Sequence, residues 1–245
     1  MMKISLVLFF SLLIANPLKA EPIRILTEHF PPYNFEVDNQ AQGLATEVVQ
    51  AVLQQLKLDV DIEFYPWARA YELAQTEKNI LIYSIARIPE RENLFQWVGT
   101  IAPYKTSLYK LKANKEIKVN TLEQAKQYEI GLSLNDVIVT YLQRHQFPSL
   151  KILSTGLLNI RMLANDRIDL IAYDEASFSY ALQEEGVEDA LFEKVYTLDE
   201  LSDQLYMAFS PRSDKALVKA FADALQVIKA NGSYEQIQKK YINIK

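Results

Sequence analysis

Short apolar segments alternate with amphipathic helical stretches along almost the whole chain, and this order is the strongest constraint on its fold. Ile23 to Thr27 reads as a strand. Gly43 opens a helix in which Leu44, Val48, Val52 and Leu56 form one apolar stripe. Val60, Ile62 and Phe64 alternate with Asp59, Asp61 and Glu63, the pattern of a half-buried strand. Pro66 starts a second helix that runs to about Gln75, and Ile80 to Tyr83 is a continuous apolar strand of the kind covered on both faces. Strand, helix, strand, helix, strand predicts a mostly parallel sheet flanked by helices, an α/β fold.

The order then repeats. Thr106 to Lys112 reads as an extended crossing segment, and Thr121 with Gln124 resembles a capping box. Strands are expected at 129–132, 150–153, 168–173 and 191–195, with helices over 136–144, 157–165 and 175–185. Gln204 to Ser210 is a second extended segment. Lys215 to Ala230 is a long helix stopped by Asn231-Gly232, and Ser233 to Tyr241 is a last short one. The expected organisation is two lobes of discontinuous sequence, 21–105 with 205–245, and 106–204. Two crossings between lobes are what a hinged clamp needs.

The first twenty residues read as an address. Met1-Met2-Lys3 is a short positive start, Ile4 to Ala15 an apolar run, and Leu18-Lys19-Ala20 ends on a small residue. This is the layout of a cleavable signal peptide, with cleavage expected after Ala20. The apolar run is shorter than the roughly 20 residues a bilayer-spanning helix takes. The expected location is the periplasm.

Composition removes several function classes. There are 0 Cys, so no disulfide, thiol nucleophile or zinc-thiolate site exists. The formal net charge of −5 argues against a nucleic-acid partner. The 6 Gly leave little room for phosphate-cradling loops, and neither G-x-G-x-x-G nor G-x-x-x-x-G-K occurs. His29 and His145 are the only histidines. No cofactor and no metal is expected. Gly131-Leu132-Ser133-Leu134-Asn135 approaches a nucleophile elbow, but Asn135 stands where the closing Gly belongs. Ser133 and Asn135 read instead as parts of a loop whose amides face a cleft at a helix start.

Candidate ligand contacts cluster after the strands, where open α/β sheets bind their ligands. Ser84-Ile85-Ala86-Arg87-Ile88-Pro89-Glu90-Arg91 follows a buried strand. Arg91 or Arg87 there grips a carboxylate bidentately, or else pairs with Glu90 or Glu92 at the surface. Trp67, Arg69 and Tyr71 open the second helix and offer an aromatic face and an anion partner, or ordinary helix packing. Phe30 and Tyr33 hold the same position after the first strand. Asp174 follows the strand ending at Tyr173; it receives an ammonium group, caps the next helix, or does both.

At these residues the chain resembles the periplasmic solute-binding proteins of bacterial importers, in particular the polar-amino-acid-binding family, family three. Ile25-Leu26-Thr27 with Phe30, Pro32-Tyr33 and Gly43 is similar to the family's start. Pro89-Glu90-Arg91 with Phe95 and Trp97, Asp169-Leu170-Ile171 with Tyr173-Asp174, and Asn231-Gly232-Ser233-Tyr234 with Lys240-Tyr241 resemble its later motifs in order. The resemblance implies a two-lobed periplasmic-binding-protein fold of type II, with Arg91 holding a ligand carboxylate and Asp174 a ligand amino group. Ser84 and Ala86 stand where the family usually has Gly and Thr. Ser133-Leu134-Asn135-Asp136 stands where it usually has Ser-Gly-Thr-Gly. These departures set the chain apart as a divergent branch.

The expected function is capture of a small polar solute, an amino acid or a related carboxylate or amine, for a membrane ABC permease. The partner is alternatively a membrane sensor protein, and the chain itself is expected to be a monomer. An enzyme on the same scaffold, dehydratase-like, would need a buried acid or base in the cleft. Glu28 is the best candidate for that role, against the simpler reading of a solvated surface acid.

Overall fold

The computed structural model describes residues 22–134, 136–201 and 203–241. The segment expected to be a signal peptide and Asn135 lie outside the described residues. The strands are β1 (Arg24–Thr27), β2 (Phe35–Val37), β3 (Gln40–Gln42), β4 (Ile62–Phe64), β5 (Ile80–Ala86), β6 (Gln96–Tyr104), β7 (Thr106–Leu111), β8 (Ile130–Ser133), β9 (Leu150–Leu153), β10 (Leu170–Asp174), β11 (Phe192–Thr197) and β12 (Asp203–Phe209). The helices are α1 (Leu44–Leu56), α2 (Trp67–Thr76), α3 (Leu122–Ala125), α4 (Val137–Arg144), α5 (Gly156–Ala164), α6 (Glu175–Glu185), α7 (Lys215–Ala230) and α8 (Ser233–Tyr241).

Two five-stranded sheets result, one in the order β4-β1-β5-β12-β6 and one in the order β11-β7-β10-β8-β9. Both are mixed. The parallel trios β4-β1-β5 and β10-β8-β9 are what the strand-helix order dictates. In each sheet a strand from a crossing segment runs back against the trio: β12 lies antiparallel to β5 and β6, and β7 antiparallel to β10 and β11. The chain passes from β6 to β7 through Lys105 alone, so one step carries it from the first sheet to the second.

The apolar stripes of the sequence become the core. Leu44, Val48, Val49 and Val52 of α1 pack on Ile25, Leu81 and Ile101 of the first sheet, with Phe221 and Leu225 of α7 on the same side. Leu26, Ile80, Ile82 and Ile85 face Ala70, Leu73 and Ala74 of α2 on the other side. Strand β5 is buried along its whole length, as its continuous apolar run implies. The second sheet has its own two apolar layers, one around Leu108, Leu132 and Leu170 and one around Ile160, Ile171 and Phe178.

Strand β5 extends to Ala86, past the expected end at Tyr83. Ser84 makes this possible. In the β5–β12 ladder Tyr83 faces Met207 and Ile85 faces Tyr206, so Ser84 is a bulged residue without an opposite partner. It adopts a left-handed conformation at φ 61°. Such bulges re-aim side chains beside binding sites. Ser84 and Ala86 therefore sit at the end of a strand, not in the loop the sequence implied.

Candidate functional site

A cleft of about 510 Å³ lies between the two sheets. It collects the carboxyl ends of β1, β5, β8 and β10 and the starts of α2, α4, α5 and α6. Asp136, Thr155 and Asp174 are the N-caps of α4, α5 and α6, each accepting from a first-turn amide, and all three line the cleft. Three helix N-termini, with their partial positive charge, thus converge on one space.

From the first sheet come Glu28, Phe30, Trp67, Ser84, Ala86 and Arg91. The loop after β1 is fixed by α1. The amides of Leu44 and Ala45, which have no partner inside the helix, donate to the carbonyls of Pro32 and Tyr33 at 3.0 and 2.8 Å. Gly43 has φ 113° and touches the Tyr33 carbonyl where a Cβ would sit, so no larger residue fits. Asn34 is fully buried and ties the loop to β5: its Nδ2 donates to the Glu28 carbonyl at 2.6 Å, and its Oδ1 accepts from the Ser84 hydroxyl.

Arg91 lies in a single turn of 3₁₀ helix after β5 and is only 9% exposed. Its guanidinium donates to the Ala86 carbonyl at 3.3 Å and stands 5.0 Å from the Tyr71 ring centre and 5.6 Å from that of Trp67. Among the described residues no carboxylate comes within ion-pairing distance of it. Two acids share its field. Burial, with the Asp136 carboxylate adding to it and Arg91 partly offsetting both, raises the Glu28 carboxyl to about 8. Burial likewise raises Asp136, against its backbone hydrogen bonds and Arg91.

Asp174 is 3% exposed and heavily engaged. Oδ1 accepts from the Ser177 amide at 2.8 Å, and Oδ2 accepts from the Lys105 amide at 3.2 Å and the Tyr33 hydroxyl at 3.1 Å. Burial still lifts it to about 6. The helix-capping role left open by the sequence is therefore present, in a residue that also lines the cleft.

Of the residues singled out in the sequence, Arg91, Asp174, Ser84, Ala86, Trp67, Phe30 and Ser133 come together in this one space. Tyr33 reaches it through Asp174. Arg87 and Arg69 are placed elsewhere. Arg87 pairs with Glu92 through bonds of 2.8 and 2.6 Å and packs over Trp97 and Tyr206, because strand alternation at the end of β5 sends it to the opposite face. Arg69 pairs with Glu72 on the exposed side of α2. Glu28 proves to be a cleft residue and not a solvated surface acid. Sequence reasoning missed Tyr104, Asp136, Thr155 and Tyr173. The signal was present for two of them, since Asp136 opens an expected helix and Thr155 lies between an expected strand and helix.

Two helix-flanked sheets with a ligand-sized cleft at their facing strand ends define a type II periplasmic-binding-protein fold. The chain belongs to the bacterial extracellular solute-binding proteins, family 3, whose profile matches residues 23–244. A probable histidine-binding protein of Neisseria gonorrhoeae is 20% identical over 232 residues, covering 93% of this chain and 84% of the relative. A histidine kinase sensor domain with similarity to periplasmic binding proteins superposes at TM-score 0.80 with 15% identity, covering 90% of this chain and 96% of that one. An ancestral arginine-binding protein bound to arginine superposes at TM-score 0.75 with 19% identity, covering 90% and 98%.

Proposed function

We propose that the protein is an exported binding protein that captures a small polar solute bearing an amino group and presents it to a membrane transporter. The observation that carries this reading is the meeting of Arg91, Glu28 and Asp174 in one cleft between two sheets. Arg91 would take a carboxylate or carbonyl as a bidentate donor, and Asp174 with Glu28 would take an ammonium group. Phe30 and Trp67 supply aromatic faces to the same space. The lobes would be 21–105 with 205–245, and 106–204, with Lys105 in one of the two crossings. Closure would shift a pre-existing open–closed equilibrium, and the closed form is what a membrane partner would recognise. Cleavage after Ala20 would release the chain into the periplasm as a monomer. No catalytic step is proposed.

The likeness to a histidine kinase sensor domain supports a second reading, in which the closed form signals to a membrane sensor without transport. A thermal-shift screen with amino acids, short peptides, amines and organic acids tests the solute-binding reading common to both. A solute that binds only the folded protein raises its melting temperature, by about 2.7 kcal/mol of added stability at a hundredfold excess over Kd. No shift with any class would refute capture. Deletion of the gene separates the readings: loss of solute uptake supports transport, and loss of a transcriptional response with uptake intact supports sensing.

A further inference from the structure

The cleft does not end at Arg91. A second compartment of about 460 Å³ opens on its far side and shares Trp67, Ala68, Arg91, Leu134 and Asp136 with the inner one. These five residues form a waist between two spaces. The linings differ in their acids. The inner space holds Glu28, Asp136 and Asp174 against the single charge of Arg91, an excess of acid. Beyond the waist Tyr71 and Ile88 on one side and Val139 and Ile152 on the other give an apolar surface, with Glu90 and Thr140 beside it.

Two observations mark the outer space as part of the site. First, both lobes build it, and they are tied together at its edge by Arg144 and Glu90, 2.9 Å apart. Second, large apolar side chains are turned to solvent along it, Ile152 at 38% exposure on its wall and Leu134 at 58% at the waist. Exposed apolar surface around a concavity is the usual mark of a ligand groove. A free amino acid whose amino group sits with Asp174 and whose carboxylate meets Arg91 is used up at the waist and leaves the outer wall bare.

We propose that the solute is longer than a single amino acid, with an amino-bearing head in the inner cleft, a carbonyl group at Arg91, and an apolar extension over Trp67, Tyr71, Val139 and Ile152. The occupant is of dipeptide size, its first residue cationic and its second apolar. The inference rests on the solute-binding reading and names the class of ligand for that site. The raised carboxyl of Glu28 fits it, since an arriving ammonium group replaces the lost solvation of the ionised acid.

Calorimetry with L-lysine and the dipeptide Lys-Phe tests it on the full mature chain. Burying a Phe side chain contributes about 1.5–3 kcal/mol, so Lys-Phe should bind roughly 10- to 150-fold more tightly than lysine. Ile152→Glu lines only the outer compartment and lies at a partly exposed position on β9, so folding should be retained. It should erase most of the Lys-Phe advantage and leave lysine affinity unchanged within twofold. Val139→Glu should do the same, so the test does not hang on one variant. Equal affinity for the two probes overturns the proposal, as does an advantage that survives both substitutions. Silence of both probes, while another solute class shifts the melting temperature, overturns the proposed ligand and leaves solute binding standing. Silence across the whole screen overturns the underlying reading.

Discussion

The Tyr33 hydroxyl donates to Oδ2 of Asp174 at 3.1 Å, which joins the loop after β1 to the end of β10 and so links the two sheets through one buried bond. The same carboxylate oxygen accepts from the amide of Lys105, in the crossing between β6 and β7. Asp174 thus joins the cleft to the crossing between the two sheets. Tyr33→Phe should remove the inter-sheet bond and cost about 1–3 kcal/mol of stability, the usual result of leaving a buried acceptor short of a donor. With one fewer donor its carboxyl should titrate above about 6. Carboxyl-carbon chemical shifts measure the change, and an unmoved titration would refute the link.

Arg91→Ala should weaken binding of a carboxylate- or carbonyl-bearing solute by roughly 30- to several-thousand-fold, or about 2–5 kcal/mol. Arg91→Lys should recover only part, because an ammonium cannot reproduce the guanidinium fork. The stacking on Trp67 and Tyr71 adds a consequence that the sequence did not suggest. Arg91→Ala should also lower stability by about 1–2 kcal/mol through lost packing and cation–π contact. Calorimetry and denaturant titration separate the two effects.

Arg87→Ala is the matched control. Its ion pair with Glu92 is exposed, and solvent screening leaves such pairs little net stabilisation. Affinity should stay within twofold of the native protein. A large loss of affinity would move the anion site one turn upstream.

Glu28 should make the unliganded protein less stable as pH rises from the ordinary carboxylate range to about 8, above which the loss levels off. Its folded-state carboxyl titrates at about 8, above the range of an unfolded glutamate. A group raised in this way contributes stability that is fully present below the unfolded value, and that is lost as pH rises through about 8. Glu28→Gln should flatten this decline. Water in the open cleft discounts the effect to on the order of 2 kcal/mol at pH 9, a gain of roughly 4–8 °C in melting temperature for a chain of this size. Equal pH profiles for the two proteins would show that Glu28 titrates normally.

Ser84→Gly should be more stable than Ser84→Ala, the reverse of the usual order inside a strand. Both variants lose the hydroxyl that serves Asn34, but only Gly accepts φ 61° without strain. The difference should be about 1 kcal/mol in chemical denaturation.

Much of this was legible in the sequence, for stated reasons. The helix stripes from Leu44 to Leu56 and the apolar runs at Ile80 and Leu170 carry their own periodicity, so the two α/β units and their order could be read directly. Strand β6 could not, because Gly99 and Pro103 break its pattern and its pairing with β12 absorbs two register shifts. The cleft lining was legible at Arg91, Trp67 and Asp174, which stand at strand ends or the helix starts after them. The alternation of β5 that separates Arg87 from Arg91 was hidden, because Ser84 ends the apolar run before the strand itself ends. Glu28 and Asp136 lie far apart in sequence, and nothing local shows that folding sets them in one electrostatic field.

The position of β12 has a consequence in time. It lies between β5 and β6, and β6 pairs with no other strand of its sheet. A chain that becomes available from its amino end therefore carries β5 with one bare edge and β6 without a neighbour until residues 203–209 arrive. The second sheet draws all its strands from 106–197 and has no such wait. Contacts of large sequence separation form late because loop closure must precede them. The sheet that begins first is thus the one completed last, and pulse-labelled amide exchange should show β7, β8 and β10 protected before β5 and β6.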